Sequence, residues 1–248
     1  MNYIKPIAFS MLTAISAVSF ATQEPVDNFS ADIEAIKKQM ATTVSNLTVT
    51  DVSPSAIEGM YEVSTKNNGI LFSSADGTYF LSGELFSTAS GKLVNMTEKK
   101  LAVERSTILD DIKDYQKIIF PAEGEHKSTI TVFTDVDCGY CRKFHKQVPE
   151  LNAMGIQVDY MAFPRAGEGS ETYHKMVSAW CADDQKAAMS ALKTGDTIKF
   201  ATCPNTISEQ HKIGSRLGVT GTPAIVLDSG QLIPGYLPAE KISKILDI

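Results

Sequence analysis

The chain reads as an α+β and α/β protein in two parts: a small amino-terminal helix-and-meander piece, a connecting helix, and a carboxy-terminal domain of α/β layered order. Three observations predict this. Short β-prone runs separated by Asn68-Gly69 and Asp76-Gly77 crowd the region before residue 85. An amphipathic stretch follows from Thr97, and from Ser128 onward strand-like and helix-like patterns alternate. The 248 residues leave room for one large domain or two modest ones. Hydrophobic residues at 43% and charged residues at 21% exclude wholesale disorder, collagen and a polytopic membrane protein. A net charge of −6 has the wrong sign for a phosphate-neutralising nucleic-acid binder, so no nucleic acid is expected as partner.

Residues 1–21 carry one charge, Lys5, then an apolar run from Ile7 to Phe20 that ends in Ser19-Phe20-Ala21. Small residues at the two positions read by a signal peptidase predict a cleaved signal peptide and an oxidising compartment. The run is shorter than the roughly 20 residues of a membrane anchor. From Ser30, a plausible N-cap, to about Val44, the spacing of Ile33, Ile36 and Met40 predicts a helix. Leu47–Val52, Met60–Ser64, Ile70–Ser73 and Thr78–Leu85 are expected strands. The domain spans residues 22–94; a piece this small has little core of its own and often gains stability by oligomerising.

The linker, 95–120, is a helix capped by Thr97, with Leu101, Ile108, Leu109, Ile112 and Tyr115 on one stripe. Pro121–Glu125 interrupts, and the second domain, 121–248, begins with a buried strand at Ser128–Asp135. Onward the reading is a helix from Cys138 broken near Pro149 and a strand at Ile156–Phe163. Helices follow near Glu171–Leu192 and Ser208–Leu217, then strands at Ala224–Leu227 and Gln231–Ile233, and a last helix from Ala239.

The chemistry sits at Cys138-Gly139-Tyr140-Cys141, directly after a strand and opening a helix whose inward face is Cys141, Phe144, Val148 and Leu151. A sulfur at a helix N-terminus faces free N–H groups and the positive end of the macrodipole, which stabilise thiolate. Cys138 is therefore the expected nucleophile and Cys141, one turn inside, the resolving partner. The competing reading is half of a zinc site with His145 as a third ligand. No second CxxC or close histidine pair supports it, so no metal and no cofactor are expected. Thr222-Pro223 stands before the apolar strand at Ala224; a cis bond there would turn the chain beside the CxxC and free the Thr222 backbone for an extended substrate, but an ordinary trans proline is the commoner case. The pattern Tyr173, Met176, Val177, Trp180, Cys181 puts Cys181 on a core face. Its natural partner in an oxidising compartment is Cys203, closing a loop of roughly 20 residues that is worth about 3 kcal/mol. The alternative is two independent thiols.

Phe133-Thr134-Asp135, Cys138-Gly139-Tyr140-Cys141, Ala162-Phe163-Pro164-Arg165 and Trp180-Cys181-Ala182, with the segments Gly218–Ala224 and Pro234-Gly235-Tyr236, closely resemble the DsbC/DsbG family of bacterial periplasmic disulfide isomerases, on the DsbC side because of Gly139-Tyr140. The resemblance covers the chain after residue 21. It implies a thioredoxin-like catalytic domain with a helical insertion and a cystatin-like α+β dimerisation domain. It also implies a cis bond before Pro223 and a structural disulfide between Cys181 and Cys203. The implied activity is rearrangement of non-native disulfides in misfolded secreted proteins, with chaperone action as a V-shaped homodimer and the membrane reductase DsbD as partner. One departure stands out: thioredoxins hold a buried acid six residues before the first active cysteine, and here that place is Val132. The rival readings are a monomeric thiol:disulfide reductase or oxidase, and a non-catalytic chaperone or metal-binding protein.

Overall fold

The computed structural model describes residues 29–43, 47–66 and 69–248. The signal-peptide reading of 1–21, the helix end at Val44 and Asn68 of the first turn lie outside the described residues.

Helix α1 (Phe29–Thr43) lays Ile36 and Met40 on an antiparallel meander of β1 (Val49–Pro54), β2 (Met60–Thr65), β3 (Gly69–Ser74) and β4 (Phe80–Ser82). Their apolar partners are Val52 and Val63, which sit opposite each other in the β1–β2 register. Ser30 lies inside α1 and is not its cap. Gly77 holds the β3–β4 turn with φ +69°, and a Cβ there would come within 3.0 Å of the Ile36 backbone, so the turn packs directly on α1. The run expected as one strand at Thr78–Leu85 breaks after Ser82; the chain resumes as β5 (Phe86–Ser87), paired with β6 (Val94–Asn95).

Helix α2 (Met96–Asp110) is capped by Asn95, whose side chain accepts the Glu98 N–H at 2.9 Å. Thr97, expected as the cap, is instead buried one position inside the helix, and its hydroxyl accepts the Leu85 N–H. Ile108, Leu109 and Ile112 pack as the stripe predicts, but α2 ends at Asp110, so Tyr115 falls in a following 3-10 turn and is exposed.

The strand β7 (Ile118–Phe120), left inside the linker by the sequence reading, joins the second sheet. Three residues before a proline carry too little alternation to announce a strand. Next come β8 (Ser128–Thr134), α3 (Gly139–His145), α4 (Val148–Ala153) and β9 (Ile156–Ala162). The helix breaks between His145 and Val148, with Pro149 in the first turn of α4, where its missing N–H costs nothing. Helices α5 (Glu171–Trp180), α6 (Gln185–Thr194) and α7 (Ile207–Arg216) precede β10 (Ala224–Leu227), β11 (Leu232–Pro234) and α8 (Ala239–Leu246). The sheet order is β11-β10-β8-β9-β7, with β8 and β9 parallel and every other pairing antiparallel. One face buries Ile130, Val132, Val158, Tyr160 and Ile225 with Phe144, Leu151 and Met176; the other buries Phe133, Met161 and Val226 with Leu217. This is the mixed sheet with helices on both faces that the layered order predicts.

Cys181 and Cys203 form a disulfide with Cα atoms 5.7 Å apart. Cys181 packs against the core as expected but is only half-buried, because α5 ends one residue before it and Cys181 is its C-cap.

Helix α2 is tied on both sides. Lys100 Nζ donates to Ser53 Oγ and Glu62 Oε2, both at 2.9 Å, in the first sheet. Arg105, 5% exposed, donates to the carbonyls of Leu217 at 2.9 Å and Gly230 at 3.3 Å and pairs with Glu98 at 2.7 Å. Gly230 has φ +78°, and a Cβ there would overlap the Ala102 carbonyl at 1.8 Å.

Candidate active site

Strand β8 ends in a turn organised by Asp135, whose Oδ1 accepts the Asp137 N–H at 2.8 Å and whose Oδ2 accepts from Arg165 Nε at 3.0 Å. The turn delivers Cys138 as the N-cap of α3 in extended conformation (φ −85°, ψ 122°), the backbone state a cap requires. Its sulfur therefore does what a serine or aspartate oxygen does at other helix starts: it accepts the Cys141 N–H, at 3.4 Å. The same thiol donates to the Thr222 carbonyl at 3.3 Å. The Thr222–Pro223 bond is cis, as the resemblance implies, and the Pro223 carbonyl accepts the Gly235 N–H at 2.9 Å.

Burial raises the Cys138 thiol, but Thr222, the Cys141 N–H and the Arg165 charge together bring it below the ordinary value. Among the described residues the Thr222 hydroxyl has no hydrogen-bond partner of its own, yet it lies near enough to both sulfurs to favour their anions. Cys141, 1% exposed, is pushed up, by burial first, with Lys193, Thr222 and the Asp135 backbone opposing. The two sulfurs thus separate in acidity in the order expected from their places in the helix. Cys141, Phe144, Val148 and Leu151 are all buried, as the inward stripe predicts.

Gly139 meets nothing where a Cβ would stand, and Tyr140 beside it is 64% exposed. The Tyr140 ring stacks 6.4 Å from Tyr236, and Lys143 Nζ sits 4.4 Å above the Tyr236 ring. Next to the sulfurs lies an aromatic surface suited to an unfolded chain.

His145, the candidate third zinc ligand, turns away from the sulfurs: Nδ1 is 3.0 Å from Tyr160 Oη and Nε2 is 3.0 Å from Ser190 Oγ. Burial and the Lys193 charge lower it to about 4, so it is neutral at physiological pH. Among the described residues no cluster of three or more His, Cys, Asp or Glu is placed to hold a metal. Lys193, which the sequence reading missed, is 2% exposed and donates to Thr134 Oγ1 at 2.6 Å and to the Asp135 carbonyl at 3.0 Å. The available signal was its place on the buried stripe Ala188, Met189, Leu192, Lys193 of α6.

Residues 115–248 match a thioredoxin-like domain model, and residues 27–98 match the disulfide bond isomerase protein N-terminal domain. The thiol:disulfide interchange protein DsbC of Dickeya dadantii is 40% identical over 242 residues, covering 97% of this chain and 94% of its own. DsbC of Escherichia coli K12 is 35% identical over 239 residues, covering 96% and 94%. The disulfide interchange protein of Neisseria gonorrhoeae superposes with a TM-score of 0.49 at 25% identity, over 55% of this chain and 96% of that one. With both domain models in chain order, such identity over nearly the full length, and a CxxC at a helix start, the chain belongs to the DsbC family of thiol:disulfide interchange proteins.

Proposed function

We propose that this protein is a disulfide isomerase in which Cys138 attacks a non-native disulfide and Cys141 resolves the adduct. One observation carries the assignment: the Cys138 sulfur caps α3 within reach of the Cys141 N–H and the Thr222 carbonyl. The thiolate of Cys138 bonds to one substrate sulfur, and the electron pair of the broken S–S bond leaves on the other. A substrate thiolate can then displace Cys138 from a new pairing, which completes isomerisation with no net redox change. If it does not, Cys141 attacks Cys138, the substrate leaves reduced, and an S–S bond joins the two cysteines. A reductant must then reset the pair, a task that suits a membrane reductase of the DsbD kind.

The Thr222 carbonyl would pair with an extended segment of substrate, and Tyr140 with Tyr236 offers an apolar landing surface. The match over residues 27–98 supports homodimer formation through the amino-terminal domain. Two facing catalytic domains suit a V-shaped clamp with chaperone action on misfolded secreted chains. The expected setting is the periplasm, reached through cleavage after Ala21; among the described residues no helix is long and apolar enough to cross a membrane.

The test is recovery of scrambled ribonuclease in mildly reducing buffer, with the mass in solution measured alongside. Recovery by a dimer, lost in Cys138→Ala, supports the reading. A monomer that reduces insulin but recovers no ribonuclease overturns isomerisation.

A further inference from the structure

The strand behind the cysteine pair offers Val132, which cannot titrate, while Cys141 must lose a proton before it can resolve an adduct. Helix α6 packs against α3 and sends Lys193 into the space behind the pair. Its two hydrogen bonds end on the Thr134 hydroxyl and the Asp135 carbonyl, and the Asp135 backbone also reaches the Cys141 thiol. Ammonium and thiol are thus both held at the Asp135 backbone. No carboxylate within ion-pair distance neutralises Lys193 among the described residues, because Arg165 holds the Asp135 side chain at 3.0 Å. A buried cation with two of its three donors in use and no acid beside it is costly unless an anion forms nearby.

We propose that Lys193 is the proton-holding residue of the resolving step: its amine takes the proton of Cys141, and the resulting ammonium stabilises the Cys141 thiolate as it attacks Cys138. This rests on the assignment of the two cysteines given above. In the step, the Cys141 S–H proton moves to Nζ, and the thiolate pair forms the Cys141–Cys138 bond. The Cys138–substrate S–S bond breaks with its electron pair on the substrate sulfur. That sulfur is protonated from solvent or by the ammonium, which returns Lys193 to the amine. Burial lowers Lys193 to about 8, with Cys141, Asp135 and Cys138 opposing, so the amine is accessible near neutral pH. The other charged or titratable groups around it are Arg142 and His145 on α3, Tyr160 on β9 and the Arg165-paired Asp135 carboxylate.

The experiment forms a glutathione adduct on Cys138 and follows its release by Cys141 against pH in the full chain, native and Lys193→Met. Release by the variant should be slower by about tenfold to a hundredfold near neutral pH. The gap should close in alkaline solution, where hydroxide ionises Cys141 unaided. Alkylation of Cys138 by iodoacetamide, read in the Cys141→Ala background, should change less than about threefold on adding Lys193→Met, since that sulfur has its own stabilising bonds. Lys193→Gln, which keeps a donor but no basic amine, is measured in the same way and stands in should Lys193→Met not fold; it should be as slow. Equal release by native and variant chains, a pH-independent deficit, or wild-type rates in Lys193→Gln would overturn the role of Lys193 alone. No adduct at Cys138 in the native chain would overturn the cysteine assignment with it.

Discussion

The Cys138 thiol donates to the carbonyl of Thr222, 84 residues further along the chain, across 3.3 Å. A substrate peptide that pairs with the same backbone arrives beside a sulfur whose pKa is already lowered. Alkylation of Cys138 should therefore reach half its maximal rate below the roughly 8.5 of free cysteine. Mass spectrometry of iodoacetamide-treated protein across pH checks this, with Cys141 remaining unmodified until more alkaline solution.

Cys141→Ala should accumulate a mixed disulfide between Cys138 and substrate, visible on non-reducing gels, while retaining isomerisation in the presence of excess glutathione. Cys138→Ala should form no adduct and fall to the uncatalysed rate.

His145 is held neutral by burial and by Lys193, with a folded value of about 4 against 6.5. Its folded value is depressed, so as pH falls from about 6.5 to 4 the unfolded chain takes up a proton that the folded one refuses, and stability is lost across that window. The shift corresponds to about 3 kcal/mol. Urea midpoints at both ends of the window should drop less in His145→Gln than in the native chain.

At the docking of α2, Arg105→Met leaves the Leu217 and Gly230 carbonyls without their donor. Chemical denaturation should show a loss of about 2–4 kcal/mol. Gly230→Ala forces a Cβ into the Ala102 carbonyl at an already left-handed backbone and should cost at least about 2 kcal/mol.

Replacing Cys181 and Cys203 together by alanine should lower stability by about 3 kcal/mol, because the link spans 22 residues of sequence. Thiol-disulfide exchange with insulin should survive at folding temperatures, which separates this cross-link from the pair at 138 and 141.

What could be read in advance depended on how locally it was written. Cys138 to Cys141 occupy four successive positions, and helix periodicity alone places one sulfur at the cap and the other on the apolar stripe. The meander and the β8–α3–β9 order were legible for the same reason. Thr97 was misread because Asn95, two residues earlier, is an equally good cap, and only the Leu85 N–H waiting for a hydroxyl decides between them. Strand Ile118–Phe120 is defined by its pairing with β9, forty residues away in sequence. The cis bond at Pro223 came from family likeness rather than from composition. Lys193 shares the apolar stripe of α6, but only the packing of α6 on α3 shows that the stripe stays covered to its end and leaves this lysine 2% exposed.

Helix α2 is pinned by Lys100 to one sheet and by Arg105 to the other. It behaves as a splint, not a joint: bending there would strip a buried guanidinium of its acceptors. At 15 residues it is about 22 Å long. In the proposed pair of subunits, the gap between the two reactive sulfurs would follow from the length of a stiff rod, and clients would be sorted by whether they can bridge it.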